Sequence, residues 1–116
     1  MNSKNNIVCI YRNLLDNIAP MAENYAPPTR PSYDSLVRDE KYLDAEAALN
    51  AYRSACLLQG FINGFRGSND FSIEDEISSE ASVVEKYNID CASYREICLR
   101  DGERIGKNFR EALLLQ

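Results

Sequence analysis

The chain has 116 residues, 45% of them hydrophobic and 27% charged, which suits one domain with a packed core and is too apolar for wholesale disorder. Its formal charge of −5 means that nucleic acid or an anionic membrane meets net repulsion unless the basic groups are segregated. The absence of histidine excludes the common catalytic triads and removes the usual base near neutral pH.

The first predicted element covers Asn5 to Asn17, where Ile7, Ile10, Leu14 and Ile18 recur at spacings of three and four and give a helix one apolar face. Asn2 or Ser3 is its expected cap. From Ile18 to Pro31 the four prolines forbid a regular helix and favour an extended chain. This connector exceeds a usual turn, so it either packs along the domain through Met21 and Tyr25 or serves as an arm that a partner orders. The two apolar anchors favour packing.

The dominant predicted helix runs from Ser32 to Arg66 with no internal proline, Ser32 as cap and Asp34 near the positive end of its dipole. At about 1.5 Å per residue it spans about 50 Å, against about 35 Å for a compact globule of this chain length, so it must project, bend or pack on another copy. One stripe on it reads Leu36, Leu43, Ala47, Asn50, Ser54, Leu58, Phe61 and Phe65; a second reads Tyr42, Ala45, Leu49, Tyr52 and Cys56. Two stripes ask for two neighbours, and a small chain covers both with difficulty, which predicts a homodimer. Gly67 suits the left-handed residue that closes a helix.

Residues 67–80 carry five acids and no base. Ser72 and Asp75 approximate a capping box, predicting a helix from Ile73 to about Tyr87 with Ile77, Val83, Val84 and Tyr87 inward. After a break at Asn88 to Asp90, Ser93 with Glu96 matches the capping box more closely. The last helix then continues to Leu114 through Ile97, Ile105, Phe109 and Leu113. No strand alternation and no internal repeat is evident.

Gly60 with Gly64, and Gly102 with Gly106, form two G-x-x-x-G pairs, each with its glycines one turn apart on one helical face. A glycine costs a helix about 1 kcal/mol relative to alanine, so a packing role is expected. The two grooves are predicted to cross each other, within one chain or between chains. Cys9, Cys56 and Cys98 sit among Ile, Val and Leu, as buried free thiols do. With no apolar run of membrane-spanning length and no secretory pattern at the start, the expected location is the reducing cytoplasm. The acids at 70–76 lack the EF-hand alternation, and no carboxylate cluster pairs with a nucleophile or phosphate loop. No metal, cofactor or enzymatic activity is expected.

Two surfaces are candidates for binding. The acidic one comprises Asp70, Glu74, Asp75, Glu76 and Glu80, which imitate phosphate charge and so suit a basic protein. The basic one comprises Arg95, Arg100, Arg104 and Lys107, of which the last three share one helical face. It belongs to a segment, residues 83–97, that resembles a helix-turn-helix unit. Val83, Ile89 and Ile97 stand at its apolar positions and Asn88 at its turn, whereas Val84 and Tyr94 depart from the pattern. The resemblance implies a second helix that reads the major groove. The bland alternative is that these cations pair with the acids at 70–80 or along their own helix, as Glu96 with Arg100 and Lys107 with Glu111.

Residues 47–66, AALNAYRSACLLQGFINGFR, are similar to the helix ending in F-x-x-G-F-R of small uncharacterised helical proteins from Gram-positive bacteria and their phages. LLDNIAP at 14–20 is similar to the connector of those proteins. The resemblance implies an all-helical hairpin and a mobile-element origin, and brings no activity with it. The expectation is a single all-α domain over 1–116, about four helices around the central helix 32–66. Its expected role is to bind and modulate another protein as a non-catalytic accessory or anti-defence inhibitor. A helix-turn-helix DNA-binding regulator is the alternative.

Overall fold

The computed structural model describes residues 3–18, 42–87 and 90–115. Those residues are all-α. Helix α1 spans Ser3–Ile18, α2 Tyr42–Arg66, α3 Glu74–Glu85 and α4 Cys91–Leu114, and no strand occurs among the described residues. The connector from Ala19 to Pro31 and the predicted helix start at Ser32 lie outside them. None of the four helices is long and apolar enough to cross a membrane.

Helix α2 is the hub. Its run of Ala, Leu and Glu favours helix and contains no proline. Gly67 ends it at φ +72°, in the left-handed region that an L side chain rarely adopts, and donates its N–H to the Asn63 carbonyl at 2.9 Å. One predicted stripe is the buried one: Ala45, Leu49, Tyr52 and Cys56 lie in the core with Ala55 and Ile62. The other is buried only from Leu58 and Phe61 onward, while Ala47, Asn50 and Ser54 face solvent. The described neighbours of α2 are α1, α3 and α4.

Helix α1 lays Tyr11 and Leu15 against this hub, with Ile7, Val8, Leu14 and Ile18 at their edges. Ile10, expected inward, is 59% exposed, because the buried face centres on Tyr11, a residue that counting only aliphatics passes over. Tyr11, Phe61, Phe65 and Phe109 form one aromatic cluster with ring centroids 5.7 to 6.2 Å apart. Each such ring, fully buried, contributes about 1.5–3 kcal/mol of apolar transfer. Cys9, expected in the core, is exposed, because two residues from Tyr11 it lies about 160° round the helix from that side chain.

Two caps differ from expectation. Ser72 accepts the N–H of Glu74 at 3.1 Å at the start of α3, where a capping box would have it take that of Asp75. The start of α4 is capped by Asp90, whose carboxylate accepts the N–H groups of Ala92 and Ser93 at 3.1 and 3.3 Å and the Ser93 hydroxyl at 2.6 Å. Asp90 displaces Ser93 because it lies one residue before the helix, where an acceptor reaches two free donors. Those donors hold its carboxyl below the usual carboxylate range. Within α3, Ile77 and Val84 are buried and Val83, expected inward, is 41% exposed.

The most extensive contact in the fold is α2 with α4. A Cβ built on Gly60 would fall within 3.0 Å of the Leu99 carbonyl oxygen, and one on Gly102 within 3.0 Å of the Leu57 carbonyl oxygen. Gly64 meets the Glu103 carbonyl in the same way, and Gly106 meets that of Phe61. The structure thus brings the two glycine pairs together within one chain, backbone on backbone. Contact positions rise together along both helices, so α2 and α4 run parallel, with α3 returning the chain between them.

This crossing corrects the reading that the chain holds no internal repeat. Tyr52, Arg53, Cys56, Leu57, Gly60 and Gly64 recur at one constant offset as Tyr94, Arg95, Cys98, Leu99, Gly102 and Gly106. The same offset carries contact onto contact: Gly60 against Leu99 becomes Gly102 against Leu57, and Gly64 against Glu103 becomes Gly106 against Phe61. Helices α2 and α4 are therefore two copies of one sequence motif, Y-R-x-x-C-L-x-x-G-x-x-x-G, related by a local twofold arrangement. Between the invariant positions the surroundings diverge, Phe61 against Glu103 and Phe65 against Lys107, which hides the repeat from a scan for apolar periodicity.

Candidate functional site

The acidic segment owes its shape to a buried glutamine. Gln59, 8% exposed on α2, accepts the Ile73 N–H at 2.7 Å through Oε1. Its Nε2 donates to the Phe71 carbonyl at 2.8 Å and to Asn63 Oδ1 at 2.9 Å. One amide side chain thereby satisfies backbone groups of the loop that leads into α3, where Ile73 and Ile77 are themselves buried. Sequence reading passed over Gln59; its only signal was a polar residue in phase with the buried stripe Leu49, Tyr52 and Cys56.

Three of the five predicted acids are tied to cations of this chain. Arg66 pairs with Asp70 at 3.2 Å, and Arg12 donates from Nη2 to Glu76 Oε1 at 2.6 Å. Arg95 forks onto Glu74 with bonds of 2.9 and 2.5 Å. The Arg95 fork and the burial of α3 act in opposite directions on Glu74, and the fork wins, holding its carboxyl below the ordinary value. Because that value is depressed, the stabilisation is present above the unfolded-state pKa and is lost as pH falls through the folded one. Asp75, Glu80 and Glu85 make no ion pair with a described residue. Asp75 and Glu85 are exposed and Glu80 is half-buried, with the exposed Ser78, Ser79 and Ser82 among them.

Three of the four basic candidates are similarly occupied. Besides Arg95, Arg100 bonds Glu96 at 2.5 Å and Arg104 bonds Asp101 at 2.5 Å. Lys107 lines a shallow cleft of about 520 Å³ at the end of the α2–α4 pair, with Asn63, Arg110, Glu111 and Leu114. Its two signs of charge interleave, and it does not offer one uniform field. The helix-turn-helix resemblance fares unevenly: Val83 is exposed where the motif wants a core residue, Tyr94 is buried against α2, and Asn88 and Ile89 lie outside the described residues.

No family model, no curated protein and no solved structure matches the chain. Its chemistry has to be read from its own side chains.

Above the glycine crossing, the repeated tyrosines and arginines interlock. The Tyr52 hydroxyl donates to the Cys91 carbonyl at 2.8 Å, tying α2 to the first turn of α4. The Arg53 guanidinium stacks over the Tyr94 ring, 5.8 Å from its centroid. Burial, reinforced by the neighbouring Cys56, pushes the Tyr52 hydroxyl well above its ordinary value. Burial likewise pushes the Cys56 thiol to about 12, and burial with the carboxylates of Glu85 and Asp90 raises Cys91. A thiolate is the reactive form, so this cluster is built for packing and is chemically quiet at neutral pH.

That assignment has a direct check. At pH 8 a disulfide-exchange reagent is expected to label the exposed Cys9 within seconds to minutes, while Cys56 and Cys98 react only on unfolding. Labelling of Cys56 at the rate of Cys9, read by mass spectrometry of tryptic peptides, would contradict a closed crossing.

No group of three or more Cys, Asp or Glu able to hold a metal occurs among the described residues. Asp101 has one carboxylate oxygen buried with no hydrogen-bond partner among the described residues, while the other accepts from Arg104.

Proposed function

We propose that this chain is a non-catalytic protein that binds and modulates another protein, docking through the exposed side of α3 onto a basic surface such as nucleic-acid-handling proteins carry. The observation behind this reading is the charge left over after internal pairing: Asp75, Glu80 and Glu85 have no described ion-pair partner, and Asp75 and Glu85 are exposed on α3, as is Val83. Rim charges of this kind steer association and set partner choice more than they add raw affinity. An accessory role in a phage or mobile element belongs to the same proposal and is supported by the resemblance at 47–66.

The pairing pattern selects the test. Glu74 and Glu76 bridge α3 to α4 and α1, so neutralising them would perturb the fold as well as the surface. The triple variant Asp75→Asn, Glu80→Gln, Glu85→Gln leaves both bridges intact. Wild type and variant are immobilised and presented with native-host lysate, with and without nuclease. One stoichiometric protein should be retained by wild type, resist nuclease, and bind the variant at least about tenfold more weakly at low salt. Retention of nuclease-sensitive duplex DNA, or equal retention by the variant, would overturn the reading.

A further inference from the structure

We infer that the α2–α4 crossing is a self-recognition surface, and that the partner it fits is a second copy of this chain, reached by exchange of α4 between two chains. This inference stands apart from the docking role assigned to α3. Its basis is the repeat itself. The face that α2 presents to α4 is the face that α4 presents to α2, down to the glycines that seat on each other's carbonyl oxygens. A motif that packs against its own copy about a twofold arrangement has the geometry of an isologous interface, built here into one chain.

Exchange keeps the described contacts of α4 with α2 and α3. The four glycine approaches, the bond from the Tyr52 hydroxyl to the Cys91 carbonyl and the Arg95 fork on Glu74 all join α4 to α2 or α3, and an α4 from another chain makes them equally well. Helix α4 touches α3 only slightly compared with α2, so its docking is decided by the crossing. What favours the closed monomer is tethering: a short link holds α4 near its own α2 at an effective concentration on the order of 1 mM. Chains refolding near that concentration should find a neighbour's α4 about as often as their own.

The experiment is refolding of the full chain from denaturant at about 1 mM and at about 1 µM, around the effective concentration of the tether, followed by dilution and light scattering behind size exclusion. A dimer is expected from the concentrated sample and monomer from the dilute one. Monomer from both would overturn the inference. A second arm separates exchange from dimers that meet through other faces. Chains carrying Glu74→Arg and chains carrying Arg95→Glu are refolded together at the higher concentration. In an exchanged heterodimer every position-74 and position-95 pair is of opposite sign, whereas either homodimer sets like charges together. Native mass spectrometry should find the heterodimer a few-fold above its statistical share; a statistical mixture would overturn the inference even where dimers form.

Discussion

Replacing Gly102 by alanine is expected to destabilise the protein by about 2 kcal/mol and lower its melting temperature by about 8 °C. The added Cβ would fall within 3.0 Å of the Leu57 carbonyl oxygen and the Phe61 nitrogen, both backbone atoms of a packed helix that cannot turn away. Overpacking of this kind costs about 1–3 kcal/mol, and more where backbone is met, while alanine in place of glycine returns about 1 kcal/mol of helix propensity. The net sign is decided by the backbone clash. The local twofold arrangement adds a sharper expectation: Gly60→Ala, which meets Leu99 in the equivalent place, should cost the same within about 0.5 kcal/mol. Ser54→Ala, on the solvent-facing side of α2, should change stability by no more than about 0.5 kcal/mol. Thermal denaturation of the three variants decides the matter; a Gly102→Ala protein that melts at or above wild type would show that the crossing is looser than described.

The second large effect is expected at Gln59. Leucine there keeps the size but strands the Ile73 N–H and the Phe71 carbonyl, which Gln59 now satisfies from a buried position. An unpaired buried polar group costs about 1–3 kcal/mol, so Gln59→Leu should lose about 3 kcal/mol. Glutamate should recover part of this, since it can still accept from Ile73 but cannot, when ionised, donate to Phe71. Chemical denaturation gives the stabilities, and hydrogen exchange locates the damage: the Ile73 amide should exchange much faster in Gln59→Leu while amides in the middle of α4 stay protected. Uniform acceleration along the chain, or none, would count against a role as anchor of the loop.

Both predictions concern residues that a reading by apolar periodicity weighs badly. Glycines enter it as breaks and glutamine as surface. The glycine pairs were nonetheless visible, because two G-x-x-x-G patterns in helical segments invite a common explanation. Gln59 was invisible because its partners are backbone groups more than ten residues away, and nothing local marks them. The acidic and basic runs were legible as runs, whereas their mutual neutralisation was not: Arg12 with Glu76 and Arg95 with Glu74 join different helices.

By itself the amino-acid sequence determined the all-α class, the stop at Gly67, a break between α3 and α4, and a chain without histidine. Each follows from local physics, from helical period, backbone freedom or side-chain chemistry, and needs no knowledge of what lies across the core. The tertiary structure alone decided that α2 and α4, whose shared motif stands in the sequence, run parallel with their glycines on each other's backbone, that Tyr11 and not Ile10 faces inward, and that Asp90 caps α4. It also decided which acids have no ion-pair partner among the described residues. Periodicity names a buried face but not its neighbour, and the neighbours here are joined across tens of residues, where only the closed fold brings backbone against backbone.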